Sequence, residues 1–436
     1  MKEQRKIPTG KVERASKFAK AGLKVGRNYI KHYSKKAVGI KSDKDDLDSD
    51  NAEVLYDSLS ELKGSALKVA QMLSMDKQLL PTAYLDKFSM AQYNAPPLSY
   101  PLVVKTFKEQ FGKRPDEMFE SFTTEAVNAA SIGQVHKATL EGKNLAVKVQ
   151  YPGVANSVQS DLNMVKPIAL RLFNVKEKDV EQYINEVEER LLEETDYELE
   201  VRRSIHISDA ARGRENLTFP GYYPELSSPR VITMDWIPGK PIRAFLEDNP
   251  SQEVRNRVGQ TLWDFVDFQI HNLRMLHADP HPGNFLIQDD GTVGVIDFGC
   301  VKEIPEDFYR NYFAIVRGDV LDKPEELHSI LEELEFFKAN DSEEKKEFYK
   351  SMLLESIELV TKPFKTENFD FGDDTFFQEL HAYGEKMQKD KSLRNSDSAR
   401  GSAHGIYINR TYFGLYNILN QLKAKVNTGL ALEELV

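Results

Sequence analysis

The segment His277-Ala278-Asp279-Pro280-His281-Pro282-Gly283-Asn284, followed by Asp297-Phe298-Gly299, constrains this chain more than any other feature. Asn284 follows Asp279 by five positions, and Asp297 follows Asn284 by thirteen. Phosphoryl transfer uses these residue types at such intervals. An Asp orients the attacking hydroxyl, an Asn holds a metal, and a second Asp bridges Mg²⁺ to the nucleotide phosphates. Asp-Phe-Gly alone is a weak signal, because three common residues recur by chance. The two motifs at this interval are a strong one. Asp279 is the candidate base or water-orienting group, and Asn284 and Asp297 are the candidate metal ligands.

Bulk properties narrow the setting. A chain of 436 residues can form one large domain or two to three ordinary ones. Its 40% apolar and 29% charged content is that of a soluble globular protein. No apolar run reaches the 18 or so residues that span a bilayer, and the start lacks the pattern of a secretory signal. Cys300 is the sole cysteine, which rules out an intramolecular disulfide and fits a reducing compartment. A cytoplasmic protein is expected, peripheral to a membrane at most, with no nucleic-acid partner. The net charge of −11 is unevenly spread. Residues 1–41 hold thirteen Lys/Arg against Glu3 and Glu13, so they carry +11 and leave −22 for the rest. A basic arm on an acidic body points to a local anionic partner or to the body's own acidic face.

From Lys11 to Tyr33 the residues Val12, Ala15, Phe18, Gly22, Val25, Tyr29 and Tyr33 recur at helical spacing, with basic residues opposite. Such a helix either lies on an anionic membrane or packs on the body; the pattern does not separate the two. Residues 42–51 read as an acidic linker, and a second helical stretch runs from Val54 to Met75. Short β-prone runs follow at 135–138 and 145–149, joined by a turn at Glu141–Asn144. Helical periodicity returns from Val158 to Arg203. Strand signals recur at 231–234, 285–287 and 293–296, the last leading straight into Asp297. The remainder looks helical, with a mobile loop expected over Lys389–Gly405. The order predicts an α+β, two-lobed, protein-kinase-like fold with a helical N-terminal extension, a largely helical C-lobe, and nucleotide bound between lobes. The expected divisions are a basic arm and linker (1–50), a helical extension (51–110), an N-lobe (111–235) and a C-lobe (236–436).

Such a site needs a small-lobe lysine. Lys148, in Ala146-Val147-Lys148, sits on the second strand of the predicted hairpin, where a phosphate-pairing lysine belongs. Its expected carboxylate partner is Glu194, chosen among Glu188, Glu189, Glu193, Glu198 and Glu200. Before the first strand, where a glycine-rich phosphate cover is usual, stands Asn128-Ala129-Ala130-Ser131-Ile132-Gly133-Gln134. Alanine restricts φ and crowds the approach of phosphate to backbone. Ala129, Ala130, Ser131 and Gly133 are therefore candidate nucleotide contacts of an unusual kind. Met234 and Trp236 fall where the interlobe hinge belongs and are expected near the adenine, although Trp236 serves equally as a plain core aromatic.

Asn-Ala-Ala-Ser-Ile-Gly-Gln-Val-His, Ala-Val-Lys-Val-Gln-Tyr-Pro-Gly-Val, Glu-Thr-Asp-Tyr-Glu-Leu-Glu and His-Ala-Asp-Pro-His-Pro-Gly-Asn together resemble the UbiB/AarF/ADCK family. These are atypical kinase-like ATPases associated with isoprenoid-quinone biosynthesis, and the resemblance covers about residues 55–300. It implies ATP or ADP with Mg²⁺ as ligands and quinone-biosynthesis proteins as partners; the basic pattern of residues 1–41 adds an anionic or quinone-containing membrane surface as a further candidate. The resemblance also implies a gating helix with a Lys-x-Gly-Gln motif, matched here by Lys68-Val69-Ala70-Gln71. Ala70 favours the helix by about 1 kcal/mol over glycine, and Asn128 stands where the family usually has alanine.

Other chemistry is weaker. His277-x-Asp279-x-His281 has a zinc-like spacing, but Asn284 and Asp297 account better for Asp279, and the histidines read as loop-fixing hydrogen-bond donors. Cys300 reads as a small packed residue. After Asp297-Phe298-Gly299 a helical pattern starts at Glu306, with no Ala-Pro-Glu motif and no long activation segment. The leading expectation is an ATPase or a small-molecule or lipid phosphotransferase supporting quinone assembly. A nucleotide-sensing scaffold at a membrane surface and a protein kinase are the alternatives.

Overall fold

A computed structural model of the protein describes residues 11–37, 44–62, 87, 98–129, 132–173, 177–389 and 400–428. Its first elements are α1 (Lys11–Ala37), α2 (Lys44–Leu62), α3 (Tyr100–Phe111), β1 (Ser121–Phe122), β2 (Asn128–Ala129), β3 (Gly133–Leu140) and β4 (Lys143–Gln150). Then come α4 (Val154–Phe173), α5 (Glu177–Glu194), α6 (Tyr197–Ala210), β5 (Leu217–Thr218), β6 (Val231–Asp235), β7 (Lys240–Pro241), α7 (Ile242–Glu247) and α8 (Gln252–Phe268). The strands β8 (Met275–His277), β9 (Phe285–Ile287), β10 (Val293–Val295) and β11 (Val301–Glu303) precede α9 (Glu306–Arg317), α10 (Pro324–Glu333) and α11 (Glu343–Val360). The described chain closes with β12 (Asn368–Asp370), α12 (Asp374–Lys389), α13 (Ala403–Leu422) and β13 (Lys425–Asn427). The fold is α+β, as the order of sequence patterns predicts. It forms two compact units, Met1–Arg202 with Gly221–Trp236 and Arg203–Pro220 with Ile237–Val436.

The first unit is organised by the β3–β4 hairpin. Its two turn residues, Glu141 and Gly142, have φ of 50° and 74°, the backbone that matches the twist of paired strands. β4 is flanked by β3 and β6, and the sheet runs β1-β3-β4-β6 with β2 also on β3, all antiparallel. Strand alternation then sorts β4 into two faces. Leu145, Val147 and Val149 join the core with Val103 and Phe107 of α3. Ala146, Lys148 and Gln150 take the other face, and Gln150 Nε2 donates to the Thr195 carbonyl at 2.9 Å.

The N-terminal region corrects one expectation and decides between two others. Residues 44–51 are not a linker but the first half of α2. Leu47, Asn51, Leu55 and Leu59 recur every fourth residue and are buried, so a helical stripe underlies the acidic composition. In α1, Phe18, Ala21 and Val25 are buried, and the helix packs on α2 and α4. Arg14 Nε donates to Asp161 Oδ1 of α4 at 2.7 Å, and both residues are buried. The inner stripe of α1 is thus occupied by protein. Its outer face leaves Leu23, Ile30 and Tyr33 exposed, among exposed Lys20, Lys24, Arg27 and Lys31. Lys68 and Gln71 lie outside the described residues, as does most of the stretch expected to be helical to Met75.

The second unit has a larger core, running through Leu262, Phe265, Phe298, Phe313, Tyr416 and Leu419. Its main sheet is ordered β5-β10-β9-β7, and β8 pairs separately with β11. Trp263 of α8 stacks on Tyr416 of α13, with ring centroids 6.4 Å apart. Gly259 lets α8 close on the chain beyond α13, since a Cβ there would sit 2.6 Å from Ala424 Cβ. Cys300 is buried in this core. The loop expected over 389–405 is shorter at its end, because α13 begins at Ala403, capped by Ser402; residues 390–399 are outside the described ones. Among the described residues no helix is long and apolar enough to cross a membrane.

Candidate active site

In the first unit the group of interest is Lys148. Its position in the central strand, on the face away from α3, directs the side chain to α6. Lys148 Nζ donates to Glu200 Oε1 at 2.7 Å, with the side chains 10% and 4% exposed. A buried ammonium is stable only when so compensated. It also lies 5.1 Å from the ring centroid of Tyr197, a cation–π distance. Lys148 thus pairs with Glu200, where Glu194 was expected. Glu194 ends α5 and is itself buried, whereas Glu200 stands one helix later. Six carboxylates in this stretch share similar sequence surroundings, and only the break between α5 and α6 decides which of them meets β4.

Tyr197 also explains the one glycine of the alanine-rich segment. A Cβ on Gly133 would lie 2.6 Å from the Tyr197 hydroxyl and 2.8 Å from the Val149 carbonyl oxygen. Close packing alone demands glycine there. Asn128 and Ala129 form β2 and pair with Val135 and Gln134 of β3; Ala130 and Ser131 lie outside the described residues. Met234 is buried in β6 opposite Ala146. Trp236 follows that strand, its backbone N–H donating to the Asn144 carbonyl at 3.0 Å. It is half-buried, with Lys137 Nζ 5.0 Å from its ring.

The second unit carries the motif residues. The loop from β8 to β9 presents Asp279, Pro280, His281 and Asn284, and Asp297 follows β10. The loop is closed by its own hydrogen bonds. His281 N donates to the Asp279 carbonyl at 2.7 Å, and Asn284 N donates to the His281 carbonyl at 2.9 Å. Asn284 Nδ2 donates to the Asp279 carbonyl at 3.0 Å, which fixes the amide plane and reserves its oxygen for other use. Asp297 Oδ1 accepts from Gly299 N at 2.8 Å, and Ile296 N donates to the Asn284 carbonyl at 3.2 Å. Asp279, Asn284 and Asp297 are half-buried, so reactants can reach them.

The His281 imidazole fixes the loop as an acceptor, where a donor was expected. His281 Nδ1 accepts from Gly283 N at 3.0 Å, capping the turn Pro282–Asn284. His277 is buried, and burial pushes its imidazole pKa down, keeping it neutral. Its backbone N–H donates to Gln269 Oε1 at 2.8 Å. Gln269 opens a π-helical turn, Gln269–Leu273, at the end of α8, and such turns commonly re-aim a side chain near a functional site. Among the described residues no three His, Cys, Asp or Glu side chains converge on a metal position. Asn284 and Asp297 carry hard oxygen donors, the type that suits Mg²⁺.

The helix α13 closes over this loop. Thr411 Oγ1 donates to the His277 carbonyl at 3.5 Å. Gly414 faces Pro280 so closely that a Cβ would lie 2.2 Å from the Pro280 Cγ. Arg410 Nη2 stands 3.7 Å from Asp279 Oδ1. No motif announces Arg410, Thr411 or Gly414; helical spacing put them on one face, but nothing in the sequence said which face met the loop.

The family description "ABC1 atypical kinase-like domain" matches residues 90–326. The chain is 26% identical to the Dictyostelium discoideum protein named probable serine/threonine-protein kinase abkA, over 98% of this chain and 79% of that one. It is 25% identical to the Danio rerio protein named atypical kinase COQ8B, mitochondrial, over 97% of this chain and 68% of that one. Among solved structures, the complex of Rv3197 with erythromycin from Mycobacterium tuberculosis aligns with a TM-score of 0.59 and 28% identity, covering 88% of this chain and 94% of that one.

Proposed function

Because the chain belongs to the ABC1 atypical kinase-like family, the UbiB/AarF/ADCK group, we propose that it binds ATP or ADP with Mg²⁺ and passes the terminal phosphoryl group to water or to a small, lipid-like acceptor. The observation that carries this reading is the 3.0 Å bond from Asn284 Nδ2 to the Asp279 carbonyl. Through it one short loop ties the backbone that carries a carboxylate for the nucleophile to an amide whose oxygen is left for a metal. Asp279 orients the attacking hydroxyl or water and takes its proton. Asn284 and Asp297 would hold Mg²⁺, which would neutralise phosphate charge. Lys148, kept in place by Glu200, pairs with the phosphates. Ala129, Ala130 and Ser131 cover them, and Met234 and Trp236 border the base. Lys68 and Gln71 belong to the gating helix that the family resemblance implies.

Protein phosphorylation is the less favoured chemistry. Only nine positions separate Asp297 from Glu306, the first residue of α9, which is too short for a peptide-docking segment. The family resemblance points to isoprenoid-quinone assembly as the process served. A membrane surface would meet the outer face of α1, where Leu23, Ile30 and Tyr33 stand among lysines, since its inner stripe is already covered.

Asp279→Asn tests the reaction. ATP turnover should fall about 10³-fold, while the affinity for a fluorescent ATP analogue stays unchanged. A variant that retains full turnover sinks the catalytic assignment. One that loses turnover yet supports full function in cells identifies the chain as a nucleotide-sensing scaffold.

A further inference from the structure

The loop that presents Asp279 contributes no cation of its own. In the kinase pattern His-Arg-Asp an arginine directly precedes the catalytic aspartate. Ala278 takes that place here and is fully buried. His277 is held neutral by burial, and the Nδ1 of His281 is an acceptor engaged by Gly283. A guanidinium reaches the loop from elsewhere in the unit. Arg410 of α13 brings Nη2 to 3.7 Å from Asp279 Oδ1, with the side chains 23% and 25% exposed. Partial burial spares this attraction the screening that weakens fully exposed pairs.

We propose that Arg410 is the positioning residue for Asp279, holding its carboxylate in the pose that orients the attacking nucleophile. The inference rests on the phosphoryl-transfer reading above. A carboxylate on a half-open loop turns freely about its side-chain bonds unless something restrains it. The backbone of the loop is tied by His281 and Asn284, but those bonds end on the Asp279 carbonyl oxygen and do not act on its side chain. A planar guanidinium suits that task better than an ammonium, because its donors are fixed in one plane. The seat of α13 does not depend on it. Gly414 against Pro280 and Thr411 on the His277 carbonyl hold the helix over the loop independently.

Arg410→Met keeps side-chain length and removes the charge; Arg410→Lys keeps the charge. Each is made in the wild type and in Asp279→Asn, with kcat and KM for Mg-ATP measured alongside thermal melting. Amide hydrogen exchange of residues 277–284 is followed in the nucleotide-free protein. Arg410→Met should lower kcat about 100-fold with little change in KM or melting temperature, and should speed exchange across the loop. Arg410→Lys should recover part of kcat, and Arg410→Met should cost nothing further in Asp279→Asn. Unchanged kcat and exchange in Arg410→Met overturn the inference. So does an equal loss in the Asp279→Asn background, because the residue then acts elsewhere, or a fall in melting temperature with KM and kcat changing together. A wild type that neither binds nor turns over nucleotide overturns the functional reading instead; the exchange measurement still decides whether Arg410 restrains the loop.

Discussion

Lys148 and Asp279 are both charged groups assigned to one reaction, yet the chain builds their surroundings in opposite ways. Lys148 projects from the middle of a central strand into a dry enclosure, where Glu200 and Tyr197 leave its side chain 10% exposed. Asp279 stands on a loop, a quarter exposed, facing a guanidinium beyond hydrogen-bond distance. The first arrangement is preorganised and rigid: the ion pair needs its partner to exist at all. The second acts by charge across a 3.7 Å gap, which leaves room for a nucleophile to enter. Damage to the first should therefore register in stability, and damage to the second in turnover.

The sharpest break of that contrast is Glu200→Ala. It leaves an ammonium buried without its carboxylate and should destabilise the protein by about 3–5 kcal/mol in urea denaturation, where Asp279→Asn should leave the midpoint unchanged. Equal midpoints for the two variants would mean that Lys148 is hydrated and the dry enclosure does not exist. Gly133→Ala comes next. It drives a methyl into the Tyr197 hydroxyl and the Val149 carbonyl, at a cost of about 1–3 kcal/mol. Tyr197→Phe should recover only part of this loss, because the carbonyl contact remains.

A third prediction asks whether the second unit has a dry pair of its own behind the open loop. Burial, then the Asp264 charge, pushes the Asp267 carboxyl up to about 6, against the pull of Arg214. Burial, then Arg274 and Arg317, holds the His271 imidazole down at about 4. The two lie 3.6 Å apart. Between pH 4 and 6, folded Asp267 keeps a proton that the unfolded chain releases, and folded His271 refuses one that the unfolded chain takes. The raised acid stabilises at low pH and loses that effect as pH rises through 6; the lowered base stabilises above 6.5 and loses that effect as pH falls toward 4. Together they cancel, so this pair adds little pH dependence to the wild type. Asp267→Asn should make stability fall on acidification across that window, at up to about 1.4 kcal/mol per pH unit. His271→Gln should make it rise. Parallel slopes in the two variants would show that the groups titrate in solvent.

The smallest expected effect concerns α1, whose buried and exposed faces repeat the contrast within one helix. Reversing Lys20, Lys24 and Lys31 to Glu should weaken retention on phosphatidylserine vesicles at low salt by at least about tenfold without changing the melting temperature. Unchanged retention removes the outer face of α1 as a membrane contact.

The motif loop was legible because its chemistry is local. Asp279, Asn284 and the loop bonds that join them lie within six residues, and the turn Glu141–Gly142 and the start of α9 were equally short-range signals. Glu200 was not legible, because like carboxylates compete across the thirteen residues from Glu188 to Glu200 and the choice depends on where α5 stops. Arg410 was beyond reach for a different reason: a helix face carries no address for a loop more than 100 residues earlier. The acidic run 42–51 misled because composition spoke for solvent while the every-fourth-residue spacing of Leu47, Asn51, Leu55 and Leu59 spoke for burial. The spacing won, since that stripe had α1 to cover it.

The contact of Gly414 with Pro280 also sets a timetable. During synthesis the loop bearing Asp279 leaves the ribosome well before the helix that closes over it. At roughly 5–20 residues per second, the nascent chain spends on the order of ten seconds with that loop uncovered. Whatever capacity the loop has for nucleotide chemistry therefore matures only when α13 docks. A chain truncated before Ala403 would carry every motif residue and still lack the cover under which they are held.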